Sequence, residues 1–464
     1  MAESIPATGL IEEENEDFLK LSHDYEMPLL TRLSFWGKEF QKQDEVKSLD
    51  SRDLVGYAII KYDWSPGLKI DQHHVFEAVF RKYYHPHNCV PLPKTYRLNV
   101  LGRSFLIEGV LYAQQNGATK ACAQVALRSL LSRHLKVPDV SYRHLNALAE
   151  KASPREFHPA NGLSTHQIRF IFDELGVSYR DINYKESPKL REEIPYQKYL
   201  YAGIESGAGA LLGFQLNSVH GPRDEYHIIP FYGHTFNKDT WAPDADIAYF
   251  NIGGSLGYIP SISWTSSFLG HDDNFGPNFC INRLYVQPKQ VAYAVELLHE
   301  GYLSGGSEAE AVSIRFLMAI RKYLDAAPNI WAQRLNLKLH HEPPQVVLRS
   351  LAIPKERYIK HLREARDWES NQEDATLCNI LAEMLPPSLW IVEVSIPHLF
   401  PANERKLGEI ILNGEKKLSA DSFEAFMLAR MPGFYYFKTN ETVHHQRFLE
   451  VASKLKSHID LIHS

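Results

Sequence analysis

Positive charge is in short supply in this sequence. Of 464 residues, Lys and Arg account for 50 against 56 Asp and Glu, a net charge of −6. That argues against a general nucleic-acid binder, which carries a basic excess or stripe. No apolar run reaches the ~18 residues of a membrane-spanning helix, so no membrane partner is expected. The opening, Met1 to Asp17, is acidic and polar and lacks the basic and apolar regions of a signal peptide. Cysteine is sparse. Cys89, Cys122, Cys280 and Cys378 lie far apart with no Cys-x-x-Cys pair, which argues against a disulfide framework and for a reducing, cytoplasmic setting. Walker A and Rossmann fingerprints are absent, and so are internal repeats and low-complexity tracts. No cofactor is expected.

What is present is ordinary globular material, 44% hydrophobic and 23% charged. At roughly 100–200 residues per domain, the length suggests two to four domains. Residues 1–24 read as an acidic flexible tail, because Ile11 to Asp17 is too charged to pack. Residues 25–111 read as strand-rich. Leu54 to Tyr62 is β-branched and aromatic, Tyr96 to Tyr112 suggests two strands about Leu101-Gly102, and a short helix is expected over His74 to Tyr84. Residues 112–300 form a core of mixed character. A helix is expected from Cys122 to Leu135 on the stripe Ala126, Leu127, Leu130 and Leu131. Another spans Ser164 to Leu175, with Ser164 and Gln167 as a capping box. Antiparallel strands are expected at Ala210 to Leu216 and Tyr226 to Tyr232. Gly301 to Ser307 looks like a linker. Beyond it, residues 305–464 read as an α/β domain. Helices dominate from Lys289 to Met384, with a capping box at Ser307 and Glu310. Strands follow at Leu389 to Ile396 and Gly408 to Leu412. A closing amphipathic helix is expected over Thr442 to Ile462, with the stripe Phe448, Ala452, Leu455 and Ile459.

Two stretches carry the chemistry. In the first, Gln114, Gln115, Asn116 and Gly117 make a polar turn, and Cys122 opens an apolar helix. A thiol at a helix N-terminus faces the positive end of the helix dipole, which favours the thiolate. A glutamine just upstream suits hydrogen bonding to a developing oxyanion. In the second stretch, His227 begins a strand, and a turn after that strand carries His234, Asn237 and Asp239. A base at a strand start, followed by a carboxylate or amide, suits a dyad with an orienting third group.

The order of glutamine, helix-opening cysteine, strand histidine and Asp or Asn resembles papain-like cysteine peptidases. It is most similar to the branch that includes the double-glycine leader peptidases and related bacterial proteins. The resemblance spans residues 112–250. It implies an α+β fold with a central helix packed on an antiparallel sheet, to which the C-terminal α/β domain is appended. It implies Cys122 as nucleophile, Gln115 as oxyanion donor with Gln114 as rival, His227 as base with His234 as rival, and Asp239 as orienting residue. Asn237 and Asp244 are alternatives for the last role, Asp244 being nearer the family's usual spacing. The expected activity is thiol-dependent hydrolysis, by a cysteine peptidase or isopeptidase, of a protein or peptide substrate through an acyl-enzyme. Two other readings fit the same residues: a thiol acyltransferase, and an inactive scaffold that uses its C-terminal domain for a protein partner.

Metal is not expected. His271, Asp272 and Asp273 read as a capped surface turn, and His85, His87 and Cys89 lack a fourth zinc ligand.

Overall fold

The computed structural model describes residues 1–81, 88–91, 93–134, 139–218, 221–235, 250–251, 257–327, 329–364, 379–400, 405–439, 442–447 and 455–456. These residues form a mixed α+β fold in which antiparallel pairing predominates. No helix among them is long and apolar enough to cross a membrane.

The N-terminal third is a six-stranded sheet. It contains β1 (Ala2–Ser4), β2 (Glu26–Trp36), β3 (Leu54–Ser65), β4 (Ile70–Arg81), β6 (Lys94–Val100) and β7 (Arg103–Tyr112), in the order β1-β2-β3-β4-β7-β6. The short β5 (Asn88–Cys89) leaves it to join the second sheet. The β6–β7 hairpin turns at Leu101-Gly102 as the sequence suggests, with both residues at positive φ.

Two expectations fail in this third. Residues 1–24 are not a tail: β1 pairs with β2, and α1 (Leu10–Leu21) is helical. Its charges hide a helical face, since Ile11, Glu14, Asn15 and Phe18 are buried at i, i+3, i+4 and i+7. The helix expected at His74 to Tyr84 is instead strand through Arg81; Tyr84 lies outside the described residues. The burial alternates at His74, Phe76 and Ala78 as in a strand, with a bulge between Val75 and Glu77 that sends Phe76 and Ala78 into different clusters.

The central third packs α2 (Cys122–His134), α3 (Tyr142–Ala152) and α4 (Thr165–Glu174) against the second sheet. Ser164 and Gln167 form the expected capping box of α4. The sheet holds β8 (Tyr179–Asn183), β9 (Ala210–Ser218), β10 (Gly221–Thr235), β13 (Ser267–Asp272), β14 (Gly276–Asn282) and β15 (Val291–Leu297), in the order β14-β13-β10-β9-β15-β8 with β5 on β10. The α2 stripe Ala126, Leu127, Leu130 and Leu131 packs with Leu211 of β9, Ile228 of β10 and Val295 of β15.

The third sheet has eight strands: β11 (Phe250–Asn251), β12 (Gly257–Pro260), β16 (Val347–Pro354), β17 (Ser388–Ser395), β19 (Gly408–Asn413), β20 (Phe426–Met431), β21 (Phe434–Thr439) and β22 (Thr442–Arg447), in that order. A separate pair joins β18 (Arg405–Lys406) to β23 (Leu455–Lys456).

Helices dominate the described residues from Lys289 to Met384, including Gly306–Ala319, Arg321–Asp325, Ile330–Leu339 and Lys355–Glu364, with β15 and β16 among them. Several expectations are corrected here. The helix Gly306–Ala319 is capped at Gly305, whose N–H donates to Glu308 at 3.1 Å, and not by Ser307 and Glu310. Thr442 to Arg447 and Leu455-Lys456 are strand where a closing helix was expected; Phe448, Ala452 and Ile459 lie outside the described residues.

Nor is Gly301 to Ser307 a linker between separate cores. β12, from before it, pairs with β16, from after it, and one apolar cluster runs from Ile182 to Tyr436. Its glycines serve close approach: a Cβ on Gly305 would stand 2.4 Å from Glu296 Oε2, and one on Gly306 2.7 Å from Ser350 Oγ.

The contact that joins the first third to the second is a buried ion cluster. Glu14 of α1 meets Lys61 of β3 at 2.8 Å and Lys120, just before α2, at 2.9 Å. Burial pushes the Glu14 carboxyl up, but Lys120 and Lys61 outweigh it and hold the group well below the usual carboxylate range. Burial pushes Lys120 down to about 8, with Glu14 opposing the fall. Glu14→Ala would leave the buried Lys120 without its carboxylate and Lys61 with Asp63 alone, so it should cost about 3–5 kcal/mol. Urea denaturation measures this; a loss under about 0.5 kcal/mol, typical of a surface change, would contradict it.

Candidate active site

The loop that precedes α2 is built around one side chain. Asn116 Oδ1 accepts from the backbone N–H of Ala118, Thr119 and Lys120 at 3.0, 3.0 and 3.2 Å, and Gly117 turns at φ +72°. Asn116 Nδ2 donates to Glu14 Oε1 at 2.9 Å, and Asn146 of α3 donates to the Thr119 carbonyl at 2.7 Å. The loop is therefore held from α1 and α3 before it delivers Cys122, half-buried, to the first turn of α2.

Cys122 lies close enough to His227 to raise the ring's pKa. His227 lies on β10 opposite Phe214 of β9 and is buried. Its Nε2 faces two carboxylates, Asp272 Oδ2 at 3.3 Å and Asp273 Oδ1 at 3.4 Å. The sheet register explains the approach. β13 runs antiparallel to β10 with Phe231 opposite Gly270, so its C-terminal end returns alongside the half of β10 that carries His227. Asp272 also closes its own turn, since Oδ1 accepts from Asn274 N at 2.8 Å and Phe275 N at 3.2 Å. The expected capped turn is there, but it is buried and its carboxylates face the histidine.

The charges are strongly coupled. Burial pushes His227 down, yet the hydrogen bonds with Asp272 and Cys122 and the charge of Asp273 raise it to about 10. Asp272 is pushed up by burial but brought below the usual range by His227 and the two turn N–H groups. Asp273 rises to about 6, through burial first, with His227 lowering it and Asp272 raising it.

The other candidates separate clearly. Gln114 is spent on β4: its N–H donates to the Val75 carbonyl and its Oε1 accepts from Val75 N, both at 2.8 Å. Gln115 turns toward the histidine's carboxylates, and its Nε2 donates to Asn274 Oδ1 at 3.4 Å. His234 is fully buried away from the thiol, with Nε2 on Glu205 at 2.5 Å and Nδ1 near the Thr235 carbonyl at 2.9 Å. Glu205 in turn binds Arg349 of β16 at 2.6 Å. His271 points inward, toward Tyr232 and the Val110 carbonyl.

Asn237, Asp239 and Asp244 lie outside the described residues, as do His85, His87 and Cys378; Cys89 is buried beside Glu205. The sequence reading missed Asp272 and Asp273 as partners of His227. The available signal was a pair of acids closing an apolar strand between Gly270 and Gly276.

In comparisons with known proteins, no family model, curated protein or solved structure matches the chain.

The raised His227 value has a definite sign. The imidazolium's contribution to stability is complete below the ordinary histidine value, about 6.5, and is lost as pH rises through about 10. An NMR titration of the ring should therefore find it protonated at neutral pH. Asp272→Asn should lower the midpoint by about a unit or more; an unchanged midpoint would remove Asp272 from its role.

Proposed function

We propose that the chain is a papain-like thiol hydrolase, a cysteine peptidase or isopeptidase, acting on a protein or peptide substrate. The observation that carries this reading is the closeness of Cys122 to His227, whose value it raises, with Asp272 and Asp273 on the ring's Nε2. It is supported by the packing of α2 on an antiparallel sheet, the arrangement such a core requires.

The proposed chemistry is nucleophilic acyl transfer. The ring, protonated at neutral pH, carries the proton it has taken from Cys122, and the sulfur attacks the substrate carbonyl carbon. The negative charge then grows on the carbonyl oxygen, where Gln115 Nε2 and the backbone N–H groups at the start of α2 are donors. His227 returns the proton to the leaving amine, which departs as the carbonyl re-forms and leaves a thioester on Cys122. Water, activated by the same ring, attacks the thioester and releases the acid. Asp272 keeps the ring oriented and balances its charge through Nε2.

Alkylation tests the reading, because exposure and activation favour different cysteines. Cys280 is exposed, Cys122 is half-buried and Cys89 is buried. If activation governs, limiting iodoacetamide at neutral pH labels Cys122 ahead of Cys280. His227→Ala should slow Cys122 labelling by about 10²-fold, the low end for loss of a positioned base, and leave Cys280 unaffected. Labelling of Cys280 ahead of Cys122 in the native protein would overturn the reading.

A further inference from the structure

Three groups of metal-ligating side chains converge among the described residues, and two already hold a cation of their own. Glu14, Asp63 and His74 surround the ammonium groups of Lys61 and Lys120. Cys89, Glu205 and His234 sit against Arg349, whose Nη2 is 2.6 Å from Glu205. The third group is His227, Asp272 and Asp273. The charges acting on Asp273 come from His227 and Asp272, with no lysine or arginine among them. Two buried carboxylates thus share one imidazole. Asp273 is only 7% exposed, and its Oδ2 is buried with no hydrogen-bond partner.

The spacing fits a metal better than a hydrogen bond. His227 Nε2 lies 3.3 Å from Asp272 Oδ2 and 3.4 Å from Asp273 Oδ1. A charged N–H···O bond closes to about 2.7–2.9 Å. Tetrahedral zinc, with bonds of about 2.0–2.1 Å to nitrogen and oxygen, separates its ligands by roughly 3.3 Å. The three ligand atoms lie within 4.8 Å of one another.

We propose that His227, Asp272 and Asp273 form a site for a divalent transition metal of the zinc class. The ring binds the metal through Nε2 as neutral imidazole, and the proton formerly on Nε2 passes to water. The two carboxylates balance the dication. Cys122 is not among the converging ligands and stays outside the coordination sphere. Magnesium does not substitute, since it demands six oxygen-type ligands. The metal site does not rest on the hydrolase reading.

Cobalt(II) in place of zinc tests the site with a visible signal. The wild-type chain and Cys122→Ala should both bind one cobalt, with tetrahedral d–d absorption, similar affinity and no strong sulfur-to-metal charge-transfer band. Asp273→Asn, close to isosteric, should weaken binding by about tenfold or more. Circular dichroism should first show that this variant is folded; Asp273→Ser serves if it is not. Zinc should displace the cobalt signal, EDTA should abolish it, and magnesium should leave it unchanged. No cobalt binding by the wild-type chain, binding lost in Cys122→Ala, or undiminished binding in the folded Asp273 variant would each overturn the proposal. Cobalt bound by Cys122→Ala, in a chain whose metal-free Cys122 is no faster than Cys280, would uphold the site and sink the hydrolase reading alone.

Discussion

Glu14 is the residue on which the candidate site rests. Its carboxylate lies between Lys61 and Lys120 and also accepts from Asn116, and all four side chains are buried. Burying such charges is expensive, and the cluster is tolerable only while every partner is present. The geometry is correspondingly strict: α1 cannot shift against β3 without unpairing Lys61, and the loop before α2 cannot shift without unpairing Lys120. A segment of the first seventeen residues thereby sets where the half-buried Cys122 begins its helix.

The second constraint is the long strand β10, which serves two places at once. His227, midway along it, lies by Cys122 and the acids of the β13 turn. His234, seven residues on, faces Glu205 and through it Arg349 of the third sheet. A bulge between Phe231 and Gly233 interrupts the strand's alternation, and the two rings end against different partners. One histidine thus belongs to the candidate site, while the other ties the second sheet to the third. From β16 the ionic contacts continue in register, Arg349 to Glu393 and Glu409 to Arg430, with Lys406 between the two acids.

Much of this was legible in local pattern. The stripe on α2, the capping box at Ser164 and the strands on either side of Leu101-Gly102 are short-range signals, and each element lies where it was expected. Cys122 and Gln115 stand out for a similar reason, each a reactive or polar side chain at or just outside the end of an element; His227 was expected to begin its strand and instead lies in the middle of β10. What failed depended on distant partners. The acids of α1 looked unable to pack because Lys61 and Lys120, which neutralise Glu14, lie some 50 and 100 residues away. Asp272 looked like a turn former, and it is one. Its second role exists only because β13 folds back along β10. Gly305 and Gly306 looked flexible because composition does not reveal that Glu296 and Ser350 stand where their side chains would be.

The central claim is that Cys122 and His227 act together as a nucleophile and its base. Trapping the acyl-enzyme tests it most directly. The chain is mixed with a small activated ester such as p-nitrophenyl acetate and quenched in acid, and the acyl group is located by mass spectrometry. The account predicts one acetyl group per chain, on Cys122, formed in a burst that His227→Ala abolishes. Acetylation spread over lysines with Cys122 unmodified, or a burst undiminished in His227→Ala, would contradict it.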